Sequence, residues 1–150
     1  MRILFLSRWY PYPTDNGAKI RAFNLLKYLA ERHTVDMISF ASGPVSEGQV
    51  QVMQTVCQRV QAVTYHPFQP TRAKAMMGFF SPRPRSVIDT FQPEFQALVQ
   101  QWAQENRYDC LIASEIDMIP YALSVSGVPR ILEEIEVTTI REQFVKEQNP

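Results

Sequence analysis

Gly17, Lys19 and Arg21 stand at the start of a predicted helix, where they could bind an anion such as a phosphate. A helix N-terminus carries free backbone amides and the positive end of the helix dipole, and a glycine lets a ligand approach the backbone closely. Arginine can hold a phosphate with a bidentate fork. Cations are unfavourable at this end of a helix, so two of them hint that an anion balances them. A plain Asn16-Gly17 turn before a solvated helix face explains the same residues equally well.

Carboxylates follow the fourth and fifth predicted strands, at the edge where open α/β sheets bind their ligands. Glu115 and Asp117 come after the fourth strand, and Glu133, Glu134 and Glu136 come after the fifth. One of the first pair could orient a substrate hydroxyl or act as its general base, although carboxylates that cap a short helix are the more common alternative. The three glutamates give no octahedral set by their spacing, so we expect no metal site. One inward and two solvated side chains would explain them.

Two further stretches could contact larger ligands. Trp9, Tyr10 and Tyr12 could stack on a sugar ring, and packing within their own loop is an equal alternative. Residues 71–85 interleave four cations with four large apolar side chains, which would suit an anionic membrane surface. Because the segment is short and only modestly amphipathic, we favour packing against the domain itself, with the arginines in water.

The composition is that of one soluble globular domain. The chain has 150 residues, of which 45% are hydrophobic and 20% charged, and fifteen basic residues balance fifteen acidic ones. This equality argues against nucleic-acid binding. Cys57 and Cys110 lie in apolar runs, which predicts buried free thiols, and His33 and His66 are not at metal-ligand spacing from them. With no signal peptide and no membrane-length apolar run, we expect a cytoplasmic protein, with peripheral membrane contact left open.

Apolar periodicity predicts an alternation of strands and helices. Apolar runs predict strands at residues 3–6, 35–40, 60–65, 109–113 and 130–134. Helical spacing predicts helices at residues 18–32, 46–58, 94–107, 119–125 and 138–147. Asp15 or Asn16 could cap the first helix and Ser46 the second, while the five prolines of residues 67–93 predict loops and short helical pieces. This order predicts an α/β fold with a Rossmann-like, doubly wound parallel sheet.

The first 35 residues resemble the opening of bacterial glycosyltransferases of family 4, also called group 1. In that family a first strand runs into Pro-x-Pro, then a glycine, then an arginine, and then a helix that ends near His-x-Val. The corresponding positions here are Pro11, Pro13, Gly17, Arg21, Leu26, Leu29, His33 and Val35. A second match, at residues 108–115, is similar to the family's Tyr-Asp-Val-Val-His-x-Glu, except that Ala113 replaces the histidine. No histidine role is therefore carried over to this position.

The resemblance implies one half of a GT-B fold, in which two Rossmann-like domains face a cleft. Residues 1–150 would be the N-terminal, acceptor-side domain, inactive alone, and a C-terminal domain with the family's Glu-x7-Glu pair would hold the nucleotide-sugar. The activity implied is a retaining transfer of sugar to a glycan or lipid-linked acceptor, without metal or cofactor. By this resemblance the donor phosphates would face Asn16, Gly17, Lys19 and Arg21, the catalytic residue would be Glu115, and the acceptor side would hold Tyr12, Asp117 and Glu136.

Two other functions fit an α/β sheet of this size. A stand-alone flavodoxin-like binding or regulatory module would need no catalysis, but phosphoacceptor domains place an acidic cluster after the first strand, where this chain has Ser7 and Arg8. A nicotinamide-dependent dehydrogenase is disfavoured because no Gly-x-Gly-x-x-Gly follows the first strand.

Overall fold

The described part of the chain, residues 1–82 and 85–133 of a computed structural model, is a parallel sheet covered by helices. Its strands are β1 (Arg2–Ser7), β2 (Thr34–Ala41), β3 (Arg59–Thr64), β4 (Cys110–Ser114) and β5 (Arg130–Glu133). Its α-helices are α1 (Gly17–Ala30), α2 (Glu47–Gln54), α3 (Ala73–Met77), α4 (Arg85–Thr90), α5 (Pro93–Glu105) and α6 (Ile119–Ala122). Short 3-10 turns occupy Gly78–Phe80 and Ile116–Met118. The predicted helix at residues 138–147, together with Glu134 and Glu136, lies outside the described residues.

The strands lie in the order β3-β2-β1-β4-β5, and each neighbouring pair is parallel. This confirms the predicted Rossmann-like, doubly wound sheet, because the chain winds outward in one direction from β1 and then reverses to start again at β4. A flavodoxin-like sheet would have the order 2-1-3-4-5. The flavodoxin-like fold of the alternative module is therefore wrong for this chain.

The apolar run of β1 supplies the core on both faces of the sheet. Leu4 and Leu6 point to the side covered by α5, whereas Ile3 and Phe5 point to the side covered by α1 and α2. Because side chains alternate along a strand, a run without polar residues must be buried on both faces, as a central parallel strand is. At the far edge, Ile131 and Leu132 of β5 are exposed.

Both cysteines are buried and free, which confirms their prediction from the apolar runs around them. Burial raises the pKa of the Cys57 thiol to about 12. It also raises the pKa of the Cys110 thiol above its ordinary value. Both side chains therefore act as small apolar groups that fill the core rather than as reactive thiols.

The predicted helix caps are present, and the helices are shorter than predicted. The Asn16 side chain accepts a hydrogen bond from the Lys19 amide at 3.0 Å, and Ser46 caps α2 through a capping box with Gln49. Helical spacing groups Ile20 with Leu26 on the apolar face of α1, but Ile20 is exposed while Leu26 is buried. Six residues at 3.6 per turn place Ile20 about 120° away from Leu26 around the helix, so the sheet covers only one of them.

Asp36 joins three parts of the chain at the amino edge of the sheet. Its Oδ2 accepts hydrogen bonds from Arg2 Nε at 3.0 Å, from Arg2 Nη2 at 2.7 Å and from the Tyr108 hydroxyl at 2.8 Å. Burial, followed by the bond to Asp36, raises the pKa of Tyr108 well above its ordinary value. The buried carboxylate thus links β1, β2 and Tyr108, which lies two residues before β4.

We expect Asp36→Asn to lower the free energy of unfolding by about 2 kcal/mol, less than the loss of a wholly buried ion pair because Arg2 is partly exposed. Urea unfolding followed by circular dichroism measures this change. Asp109→Asn is the control, since the exposed Asp109 carboxylate accepts one hydrogen bond from the Arg2 backbone amide, and it should cost no more than about 1 kcal/mol. Equal losses in the two variants would show that the buried network does not hold these strands.

Candidate functional site

The candidate site lies at the carboxyl ends of β1 and β4, where the strand order reverses. The register pairs Ser7 with Ser114, so the next residues, Arg8 and Glu115, leave the sheet side by side. Open α/β sheets bind ligands in the crevice that such a reversal creates. The loop after β1, the start of α1 and the turn after β4 form the walls of this crevice.

Arg8 is a buried cation that packs on two aromatic rings. Its Cζ lies 3.3 Å from the ring centroid of Tyr65 and 4.2 Å from that of Trp9, and its side chain is 8% exposed. Arg8 Nε donates a hydrogen bond to Asp117 Oδ2 at 3.1 Å. Among the described residues its two Nη atoms have no acceptor. No binding or catalytic role for Arg8 was predicted from the sequence, although a cation directly after a buried strand was a signal for one.

Glu115 adopts a backbone conformation that is almost restricted to glycine, with φ of 77° and ψ of 152°. Such a conformation costs about 1–3 kcal/mol and persists only where the surroundings enforce it. Here the Glu115 amide donates to the Glu133 carbonyl at 2.7 Å and its carbonyl accepts from the Met118 amide at 3.0 Å. The chain therefore holds the Glu115 side chain in a fixed direction at the end of β4.

The structure brings the two predicted carboxylates to the loop that follows β1. Trp9 Nε1 donates to Glu115 Oε2 at 3.3 Å, and Arg8 is paired with Asp117. The alternative interpretation, that these carboxylates cap a short helix, is wrong for Glu115, because its side chain makes no capping hydrogen bond. Their position after the fourth predicted strand was enough to predict that Glu115 and Asp117 belong to the site. Their partners could not be predicted in this way, because they come from a loop more than a hundred residues earlier.

The two cations of α1 are balanced by carboxylates of the same chain. Lys19 Nζ lies 2.9 Å from Asp15 Oδ1, and Arg21 Nε forms an ion pair with Glu133. The Ser114 hydroxyl donates to Glu133 at 2.7 Å, so Glu133 connects α1 to the ends of β4 and β5. The anion that the sequence hinted at is thus present within the protein, and a bound phosphate is not needed to explain these cations.

Gly17 begins α1 and faces open space. A Cβ built on Gly17 meets no atom within 4 Å, and its φ is not positive, so neither packing nor backbone conformation demands a glycine here. Among the described residues, the amides of Gly17 and Ala18 donate no hydrogen bond. The first turn of α1 therefore offers free donors to a ligand, while Asn16 is occupied as the cap.

Of the three loop aromatics, two pack within the fold. Tyr10 is buried, and Tyr12 packs against Phe23 with the ring centroids 6.2 Å apart. Tyr12 and Lys19 also line a small cavity of about 160 Å³ beside the loop after β2. Trp9 lines that cavity and also contacts Glu115, so it is the loop aromatic that borders both parts of the site.

A larger cavity of about 600 Å³ opens beside Asp117, between α4, α5 and the turn that leads into α6. Apolar side chains form most of its wall, among them Phe91, Ile116 and Leu123. Phe91 stacks on Tyr121 with the ring centroids 5.2 Å apart and nearly parallel planes. Burial raises the pKa of Tyr121 to about 12. A cavity of this size and lining suits a small organic molecule.

Residues 71–85 do not pack as predicted. Met76, Met77, Phe79 and Phe80 are exposed, Phe80 at 96%, whereas packing against the domain would have buried them. Arg85 is not simply in water either, because it donates to the carbonyls of Ala75 and Pro70 and lies over the Phe79 ring. In the described part of the segment, these four large apolar side chains therefore lie at the surface.

Two findings concern metals and membranes. Within residues 1–82 and 85–133, no three His, Cys, Asp or Glu side chains are grouped closely enough to hold a metal ion. No helix among those same residues has the length and apolar character that crossing a bilayer requires.

Glu136, predicted on the acceptor side, lies outside the described residues.

The strained backbone gives a test of the Glu115 geometry. Glu115→Gly and Glu115→Ala both remove the carboxylate, but only glycine adopts this conformation without strain. We expect the glycine variant to be more stable than the alanine variant by about 1 kcal/mol, measured by urea unfolding. A glycine variant less stable than the alanine variant would contradict the positive φ at this position.

Solved structures with a similar fold are known. No protein-family model matches the sequence, and neither does any curated protein. Among solved structures, apo UGT2 from Phytolacca americana matches 100% of this chain and 34% of its own, with a TM-score of 0.54 and 12% identity. A UDP-glucosyltransferase from Polygonum tinctorium, described as capable of glucosylating indoxyl, matches 99% of this chain and 34% of its own, with a TM-score of 0.54 and 15% identity.

The Phytolacca americana enzyme has also been solved with UDP-2-fluoro-glucose and pterostilbene, and 35% of that chain is matched with a TM-score of 0.54. This chain spans about a third of the length of these structures. At 12–15% identity the match establishes the fold. The chain has a glycosyltransferase-like, Rossmann-type fold.

Proposed function

We propose that this chain is the acceptor-binding half of a retaining glycosyltransferase that moves a sugar from a nucleotide-sugar donor to a glycan or lipid-linked acceptor. One observation carries the proposal: Arg8, Glu115 and Asp117 converge at the reversal point of the sheet, beside a mostly apolar cavity of about 600 Å³. The fold shared with UDP-glycosyltransferases supports it. So does the resemblance of the first 35 residues to family 4.

The acceptor would occupy the larger cavity. Its body would pack on Phe91, Ile116 and Leu123, and a hydroxyl would point toward the carboxylates at the end of β4. Asp117 is paired with Arg8, so it is suited to orient a hydroxyl rather than to remove its proton. Glu115, whose strained backbone is held by its hydrogen bonds to Glu133 and Met118, is the better candidate to accept a hydrogen bond from the attacking hydroxyl.

The donor phosphates would approach the start of α1. The open space at Gly17 and the free amides of the first turn of α1 suit an anion. Arg8 directly follows β1, the strand that precedes α1 along the chain. Lys19 and Arg21 would have to leave Asp15 and Glu133 to reach a phosphate. Their part in donor binding therefore depends on an exchange of partners when the ligand arrives.

A second Rossmann-like domain would complete the cleft and hold most of the nucleotide-sugar. In such a mechanism the protein chiefly positions charges, and the leaving phosphate of the donor helps to take the proton of the acceptor hydroxyl. The retaining outcome, the second domain and its Glu-x7-Glu pair come from the family resemblance. This chain would contribute the acceptor pocket and one wall of the donor site.

The exposed segment at residues 71–85 would bring a lipid-linked acceptor within reach. Residues 67–88 contain four lysines or arginines and no acidic residue. In the sequence, these cations lie on both sides of Met77 and Phe80, which are exposed. Apolar side chains flanked by cations bind anionic membrane surfaces by combining burial with electrostatic attraction. We therefore extend the proposal to peripheral contact with the cytoplasmic face of a membrane.

Gly17→Val tests the donor site in the full-length protein. Because a Cβ at this position meets open space, we expect the variant to keep the thermal midpoint of the wild type but to bind nucleotide-sugars about tenfold more weakly, since the side chain blocks the approach of the diphosphate. Gly48→Val, at a second glycine with open space, is the matched control and should bind normally. Unchanged affinity and turnover in Gly17→Val would remove the donor role of this loop.

Met77→Ser combined with Phe80→Ser tests the membrane contact by co-sedimentation with vesicles of phosphatidylcholine and phosphatidylglycerol. Burial of such side chains stabilises binding by about 1.5–3 kcal/mol each, so the double variant should bind at least about tenfold more weakly. Its stability should not change, because both side chains are exposed. Tyr28→Ser, an exposed position on α1, is the control. Equal binding of all three proteins, or wild-type binding that ignores the anionic lipid, would exclude the contact.

A further inference from the structure

A second cavity, of about 460 Å³, contains buried polar side chains that lack partners. Gln92 is 5% exposed, and within the described ranges neither its Oε1 nor its Nε2 has a hydrogen-bond partner. Asp89 is also buried, and its Oδ1 has no partner among those residues. Both residues line this cavity together with His66 and Phe91. Three unsatisfied polar atoms in one place are unusual, because buried polar groups in native proteins are nearly always paired with protein, water or ligand.

The rest of the Asp89 carboxylate is already in use. Its Oδ2 accepts from the Gln69 amide at 2.9 Å and from Arg72 Nη1 at 3.3 Å. The ion pair with Arg72 fixes the carboxylate and compensates its charge. It leaves Oδ1 as an unpaired acceptor on a residue that lines the cavity. Gln92 is fixed at the start of α5, where its backbone amide donates to the Tyr121 hydroxyl at 3.0 Å.

These atoms define the chemistry of the ligand. Asp89 Oδ1 and Gln92 Oε1 each need a donor, and Gln92 Nε2 needs an acceptor. A hydroxyl group donates and accepts at once, so two adjacent hydroxyls would satisfy all three atoms. An anion would meet two oxygen acceptors. Two lysine or arginine side chains line the cavity, Arg72 and Lys74, but Arg72 is already paired with Asp89, and Glu94 in the same lining offsets the charge of Lys74. The ring of Phe91 offers an apolar surface to the carbon face of such a ligand.

We propose that this cavity binds a neutral ring with adjacent hydroxyls, such as a hexose unit of a glycan, through Asp89 and Gln92. Phe91 lines both this cavity and the larger one beside Asp117, so the two sites share a wall. The cavity is separate from the Arg8 and Glu115 cluster, and its binding does not depend on whether the protein transfers sugar. It would select acceptors that carry a sugar unit next to the apolar body.

The test is a titration of the full-length protein with free glucose, galactose and mannose, followed by NMR chemical shifts of the backbone amides. At least one hexose should shift the amides of residues 89–92. Gln92→Met keeps the shape of the side chain and removes both amide atoms, so it should weaken that hexose at least about tenfold. Its thermal midpoint should stay the same or rise, because the lost atoms had no partner. Gln101→Met, on the exposed side of α5, should bind as the wild type does.

Three outcomes would overturn the proposal. The first is the absence of shifts with every hexose up to about 100 mM, far above the Kd of a specific site. The second is preferential binding of inorganic phosphate, which would make the cavity an anion site. The third is a lowered thermal midpoint in Gln92→Met, which would show that the amide is held by water as part of the fold.

Discussion

The pairing of β1 on both of its edges is the constraint on which the rest of the structure depends. β2 and β4 lie on either side of β1 in parallel, and both faces of β1 are buried by helices. Because all strands run in one direction, every loop that follows a strand opens at the same edge. The reversal of strand order beside β1 then places the residues after Ser7 next to those after Ser114, and this creates the site.

The two edges of the sheet use buried charge in different ways. At the amino edge, one oxygen of Asp36 receives three hydrogen bonds, which ties the strand ends together. At the carboxyl edge, Arg8 is fixed by two aromatic rings and a single carboxylate, and its Nη atoms have no acceptor in the described part of the chain. The first arrangement serves stability, whereas the second leaves polar groups oriented toward the crevice.

The fold could be predicted from the sequence because each element carries its own local signal. The apolar run of β1 indicated a central strand, and Asn16 and Ser46 indicated the starts of two helices. Strand order has no local signal, so the neighbours of Arg8 could not be predicted: Tyr65 follows β3, two strands away in the sheet.

Site residues could be predicted only where a side chain able to do chemistry came shortly after a predicted strand. Glu115 and Asp117 met that condition. The cations of α1 were visible, but the partner of Arg21 lies at residue 133, beyond any local pattern. Asp89 and Gln92 sit in a proline-rich stretch without periodicity, so their burial became apparent only from the packing of α4 and α5.

The central position of β1 has a consequence for the order in which the chain acquires structure during synthesis. Ile3 pairs with Val35 on one side and with Cys110 on the other. The first pairing becomes possible early, whereas the second must wait until β4 has left the ribosome. Until then this apolar central strand has one open edge, where a strand of another nascent chain can bind. The same strand that organises the finished sheet is therefore its most vulnerable part before β4 emerges.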